Sequence, residues 1–211
     1  MNFLASRLDV LQDLFPDETK SNLVNVLDLA DASLQTTGNL KNQDFPKRWN
    51  SGEGLRSLIF SIIVLKEPDY FVETGTANGF SAAAACSAFS YLGKGHVFSF
   101  DVLESEAKMV PQEYRKFLTL RRFNPDSSSL SQLLSELDLN FDNSVFFHDG
   151  DHSYMGQKRD YLTAKNNNFC VLLSDDVDTS LAFCDVFNSH GNVSFDAPKM
   201  FGYVKLHEFQ T

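Results

Sequence analysis

At 211 residues, 43% hydrophobic and 22% charged, the chain has the length and balance of one ordinary globular domain with a substantial core. A net charge of −10 and a pI near 4.8 argue against a general nucleic-acid partner, because an acidic surface repels phosphate backbones. The densest basic group, Arg115-Lys116 with Arg121-Arg122, is short and reads as the solvated flanks of a helix and a strand.

Charges interrupt the N-terminal segment where a signal peptide would be apolar, and no apolar run approaches the ~20 residues that span a bilayer. Cys86, Cys170 and Cys184 form no C-x-x-C pair and read as reduced thiols. These features predict a cytoplasmic protein with no membrane partner.

Residues 1–35 read as helix: Leu4, Leu8, Leu11 and Leu14 recur at helical spacing, Pro16-Asp17-Glu18 punctuates, and Leu23, Val26, Leu27 and Ala30 form a second face. Residues 1–50 are therefore expected as a helical cap, structural in the simplest reading and a lid or homodimer surface in the alternative. Residues 51–211 are expected as the main domain in one compact unit. It opens with Ser51-Gly52-Glu53-Gly54 and an apolar helix at 55–65, which Pro68 ends.

Strand and helix patterns then alternate. Strands are expected at 70–73, 95–101, 117–120, 144–149, 169–175, 192–195 and 201–206. Helices are expected at 80–92, 104–117, 130–137, 154–165 and 179–188. Such alternation predicts an α/β doubly wound, mostly parallel sheet covered on both faces.

In such sheets, ligands bind beyond the carboxyl ends of the strands. Glu73-Thr74-Gly75-Thr76-Ala77-Asn78-Gly79-Phe80-Ser81 occupies that place after the first strand of the alternating region, and Gly75 and Gly79 permit a tight turn with close ligand approach. Asp101 ends the next strand, where an acid accepts hydrogen bonds from the ribose hydroxyls of an adenosine. Together these predict a nucleoside site. The loop lacks the G-x-G-x-x-G order of a dinucleotide site, which disfavours an NAD-dependent oxidoreductase.

The order acid-x-Gly-x-Ala-x-Gly resembles the motif of class I S-adenosylmethionine (SAM)-dependent methyltransferases, with Ala77 at the middle glycine. The resemblance implies a Rossmann-like seven-stranded sheet of order 3-2-1-4-5-7-6 with the last strand antiparallel. It implies SAM binding by Glu73, Gly75, Thr76, Ala77, Gly79, Ser81 and Asp101, with Asp126 and Ser127 of Asn124-Pro125-Asp126-Ser127 beside adenine.

Asp149-Gly150-Asp151-His152-Ser153-Tyr154 is similar to a segment of small-molecule O-methyltransferases. By position, that likeness implies a divalent ion, Mg²⁺ or Mn²⁺, on Asp149, Asp175 and Asp176. Three carboxylates at neighbouring strand ends repel one another unless protonated or metal-bound, and hard oxygen ligands suit such ions. The ion would lower the pKa of a substrate hydroxyl.

His152, with Asp149, is the candidate catalytic pair; His152 is a natural general base, or simply a residue opening the helix at Ser153. His96, His148, His190 and His207 carry no assigned role. Asn166-Asn167-Asn168 stands where the family usually has Gly-Gly, and Asn tolerates the left-handed turn this requires.

The expectation is metal-assisted O-methylation of a small hydroxylated metabolite. Metal-independent N-methylation and a catalytically silent SAM-fold binding protein are the alternatives, and the carboxylate set argues against silence.

Overall fold

The computed structural model describes residues 2–4, 6–34, 44–124, 129–188, 191–196 and 199–209. The described residues form eight strands: β1 (Asn2–Leu4), β2 (Tyr70–Thr74), β3 (His96–Asp101), β4 (Leu118–Arg122), β5 (Ser144–His148), β6 (Val171–Ser174), β7 (Asn192–Asp196) and β8 (Lys199–Lys205). The helices are α1 (Arg7–Leu14), α2 (Lys20–Leu34), α3 (Glu53–Lys66), α4 (Phe80–Leu92), α5 (Leu130–Glu136), α6 (Tyr154–Asn166) and α7 (Ala182–Phe187).

Alternation along each strand divides the core between two faces. In β2, Phe71 faces a layer built from α1 to α4, and Val72 faces a layer built from α5 to α7. In β5, Val145 and Phe147 join the first layer and Phe146 the second. Each large side chain buried this way contributes about 1.5–3 kcal/mol. The small side chains Ala82, Ala83, Ala84 and Ala85 keep α4 close to its neighbours.

Local chemistry sets the element ends. Ser6, Ser129 and Ser153 cap α1, α5 and α6, each accepting a hydrogen bond from a backbone N–H three residues on. The helix α3 stops at Glu67, which turns into the left-handed region at φ 49° just before Pro68. Asn168 takes the same conformation at φ 59°, as expected for the turn that replaces Gly-Gly.

The sheet order is β1-β7-β8-β6-β5-β2-β3-β4. Counted from β2, the seven strands follow the expected order 3-2-1-4-5-7-6, and β8 runs antiparallel to β6 and β7. Two expectations need correction. Residues 2–4 form a strand parallel to β7 instead of helix, paired Asn2↔Asn192 through Leu4↔Ser194. Residues 104–117 hold only a 3-10 turn at Gln112–Phe117. Ala107 there has φ 46°, and Pro111 has no N–H to carry a helix through. Among the described residues, no helix is long and apolar enough to cross a membrane.

Candidate active site

The reversal of strand order lies between β2 and β5, and the two loops that follow these strands meet there. After β2 the chain turns sharply, with φ of 91°, 41° and 84° at Gly75, Ala77 and Gly79. Gly75 N–H donates to Phe100 O at 2.8 Å and Gly79 N–H to Thr76 O at 2.7 Å. Gly79 also begins α4, so the positive end of that helix faces the loop.

Asp101 closes the other side. Its Oδ2 accepts from Ala77 N–H at 3.0 Å and its Oδ1 from Leu103 N–H at 2.9 Å, so two backbone amides orient the carboxylate. Glu73 is fully buried behind the loop. Ser99 Oγ donates to it at 2.6 Å and in turn contacts Thr76 Oγ1 at 2.6 Å. Burial pushes the Glu73 carboxyl up to about 7, against the opposing hydroxyls of Ser99 and Ser81 and with the charge of Asp101 adding to the rise. Ser81 is buried in the first turn of α4. Asp126 and Ser127 lie outside the described residues.

The loop after β5 lies directly beside the loop after β2. Asp149 N–H donates to Thr74 O at 2.8 Å, and Ser51 Oγ donates to Asp149 Oδ2 at 3.2 Å. His152 Nε2 lies 3.7 Å from Asp149 Oδ1 and 3.7 Å from Asp176 Oδ2, so the imidazole sits between two carboxylates. Asp151 accepts from Ser153 N–H at 3.0 Å and shapes the entry to α6.

His148 and Asp160 were not legible as site residues. Asp160, wholly buried, accepts from Thr74 Oγ1 at 2.9 Å, from His148 Nδ1 at 2.9 Å and from Arg159 Nε at 2.8 Å. Burial raises its pKa, but the hydrogen bonds and charges of His148 and Arg159 outweigh that and hold it below the usual carboxylate range. The Arg159 guanidinium lies 6.0 Å from the centre of the Phe123 ring. A strand-end histidine and a helix aspartate 12 residues apart give no local pattern that would announce this pair.

Beside these loops lies a cavity of about 790 Å³. Gly75, Ala77, Asp101, Asp149, His152 and Asp176 line it, and Phe45, Arg48 and Trp49 also border it. The family model described as a methyltransferase domain matches residues 72–177, just over half of the chain, and spans both loops. The chain belongs to this methyltransferase family. It is a class I SAM-dependent methyltransferase.

No curated protein sequence matches this methyltransferase. Its fold is shared with several solved structures. The O-methyltransferase from Bacillus cereus in complex with S-adenosylhomocysteine (SAH) is 14% identical with a TM-score of 0.54, over 93% of this chain and 95% of that one. The O-methyltransferase TomG from Streptomyces achromogenes, in complex with SAM, is 13% identical with a TM-score of 0.56, over 85% and 89% of the two chains. The SAH-bound methyltransferase PaMTH1 from Podospora anserina is 15% identical with a TM-score of 0.52, over 85% and 87%.

Packing within the protein requires glycine at two positions of the loop after β2: a Cβ on Gly75 would overlap the Asp149 carbonyl, and one on Gly79 would come within 2.7 Å of Ala107 Cβ. The metal expectation does not fit. Asp149 and Asp176 line the cavity, but Asp175 is 1% exposed and is not part of its wall. Asp175 N–H still pairs with His148 O at 2.9 Å, continuing the β6 ladder, whereas Asp176 turns off it at φ 50°. Among the described residues, no group of three His, Cys, Asp or Glu side chains is placed to hold a metal ion.

Proposed function

We propose that the methyltransferase acts on a hydroxyl oxygen of a small hydroxylated metabolite, with His152 as general base. The carrying observation is His152 Nε2 at 3.7 Å from both Asp149 and Asp176, on the lining of the same cavity as Gly75, Ala77 and Asp101. When bound, SAM supplies a methyl group on a positive sulfur, and the methyl leaves for the attacking oxygen as the carbon–sulfur bond breaks to give SAH.

The roles proposed for the chain follow from its geometry. Asp101 accepts from the ribose hydroxyls, and Gly75, Thr76, Ala77 and Gly79 provide the backbone cradle, with Glu73 and Ser81 behind it. His152 Nε2 takes the hydroxyl proton as the oxygen–carbon bond forms. Asp149 and Asp176 stabilise the resulting imidazolium from two sides, which favours proton removal. The wall residues hold the two reactants together, and this proximity supplies a large share of the rate. The cavity of about 790 Å³ supports a small acceptor, and the TomG and Bacillus cereus neighbours, both O-methyltransferases, support oxygen as the atom methylated.

Because the carboxylates do not form a ligand set, the proposed step uses no Mg²⁺ or Mn²⁺. The test is methyl transfer from SAM across a panel of hydroxylated and aminated small molecules, with EDTA and with added Mg²⁺. Transfer to oxygen unaffected by EDTA is expected. Transfer only to nitrogen would overturn the oxygen assignment, and loss of transfer with EDTA restored by Mg²⁺ would return the ion to the site.

A further inference from the structure

Asn78 lies inside the cofactor loop yet spends its side chain elsewhere. It is 2% exposed, and its carboxamide makes four hydrogen bonds to residues 44–50. Oδ1 accepts from Asp44 N–H and Phe45 N–H, both at 3.1 Å. Nδ2 donates to Phe45 O at 3.1 Å and to Asn50 Oδ1 at 2.8 Å. The full capacity of the amide is used. Only one orientation works, since a flipped amide would set N–H against N–H and oxygen against oxygen.

The segment it grips is the cavity wall that carries Phe45, Arg48 and Trp49, with the Phe45 and Trp49 rings 5.8 Å apart. A second tie, Lys108 to Asp44 at 2.8 Å, is partly exposed and weakly stabilising. The next residue along, Ser51, donates to Asp149 in the loop after β5. Residues 44–51 thus bridge the cofactor loop and the acceptor side of the cavity.

We propose that Asn78 is a positioning residue that couples the two halves of the site: filling the cofactor loop fixes Asn78, which tightens the Phe45–Trp49 wall against which the acceptor binds. The proposal rests on SAM as cofactor and does not depend on whether oxygen or nitrogen is methylated.

Trp49 is the only tryptophan in the chain and is 40% exposed, so its fluorescence reports on this wall alone. The experiment compares acrylamide quenching of Trp49 in the wild type and in Asn78→Ala, without and with SAH, with SAH binding followed by calorimetry. Quenching in the free protein should rise by about twofold when the amide is removed, as local opening becomes easier. SAH should protect Trp49 in the wild type and fail to protect it in Asn78→Ala.

Unchanged quenching in free Asn78→Ala, or equal protection by SAH in both proteins, overturns the proposal. Should Asn78→Ala bind no SAH, quenching of the free protein decides alone. Should it not fold, Asn50→Ala, which removes the anchor at the far end, is measured in the same way. A failure to bind SAH in the wild type would instead strike the cofactor assignment, so the two failures are distinguishable.

Discussion

A side chain on Gly75 would overlap the carbonyl oxygen of Asp149, so the loop after β2 and the loop after β5 touch backbone to backbone. Asp149 N–H donates to Thr74 O at 2.8 Å beside this contact. Replacing Gly75 by Ala adds a methyl group where there is no room and forces φ 91° on a residue with a Cβ. SAH binding by calorimetry should be abolished or weakened at least tenfold.

Ala77 carries the opposite burden. At φ 41° it occupies the left-handed region without being glycine, at a cost of about 1–2 kcal/mol. Ala77→Gly relieves that strain and loses part of the gain to the freer unfolded chain. Urea denaturation should show a net stabilisation of about 0.5–1 kcal/mol. A destabilised variant would mean that the Ala77 methyl packs more favourably than the turn is strained.

His152→Asn should lower turnover by about 10²–10⁴-fold, the usual worth of a positioned general base. Its effect on SAH affinity should be small, because the role proposed for His152 is toward the acceptor. Parallel turnover and SAH titration separate the two, and an unaltered rate would remove His152 from the chemistry.

Glu73 gives a pH prediction. Its folded pKa is raised from 4.5 to about 7 by burial, so the folded chain holds the proton through a range in which the unfolded chain has lost it. Its contribution is full below pH 4.5 and is lost as pH rises to about 7. Glu73→Gln stays neutral throughout. The melting temperature of the wild type relative to Glu73→Gln should therefore fall between pH 5 and pH 8.

Asp160 has the opposite sign. Its folded pKa is depressed, so its contribution is present above the ordinary carboxylate range and declines as pH falls through it. Asp160→Asn removes one partner of a buried charge network and should cost about 3 kcal/mol at pH 7. The difference from wild type should shrink in urea titrations at acid pH.

Much of this was legible in the chain, for identifiable reasons. Short apolar runs such as Phe71-Val72 and Val145-Phe146-Phe147, alternating with helical periods, are enough to expect a covered parallel sheet. Glycines at 75 and 79 with Asp101 beyond them mark the loop, because only certain residues tolerate those backbone angles. The 104–117 misreading has a physical source: Ala107, Met109 and Val110 are buried as a helix face would be, but they pack as a turn beside Gly79. Asp175 and Asp176 look equivalent in sequence, and only the path of the chain separates a buried strand-end residue from one on the cavity wall. Asn78, His148 and Asp160 act through partners distant in sequence, which no local pattern encodes.

The edge strand β1 has a kinetic consequence. Asn2 pairs with Asn192, and Asp13 of α1 accepts hydrogen bonds from Asn192 at 3.1 Å and from Tyr203 at 3.0 Å. These contacts join residues 179 and 190 positions apart in sequence. Closing a loop that long is slow, and Val10 and Leu11 stay uncovered until distant core partners such as Phe201 and Tyr203 arrive. Until that closure the edge of the sheet stays open, and these apolar groups face other unfolded chains.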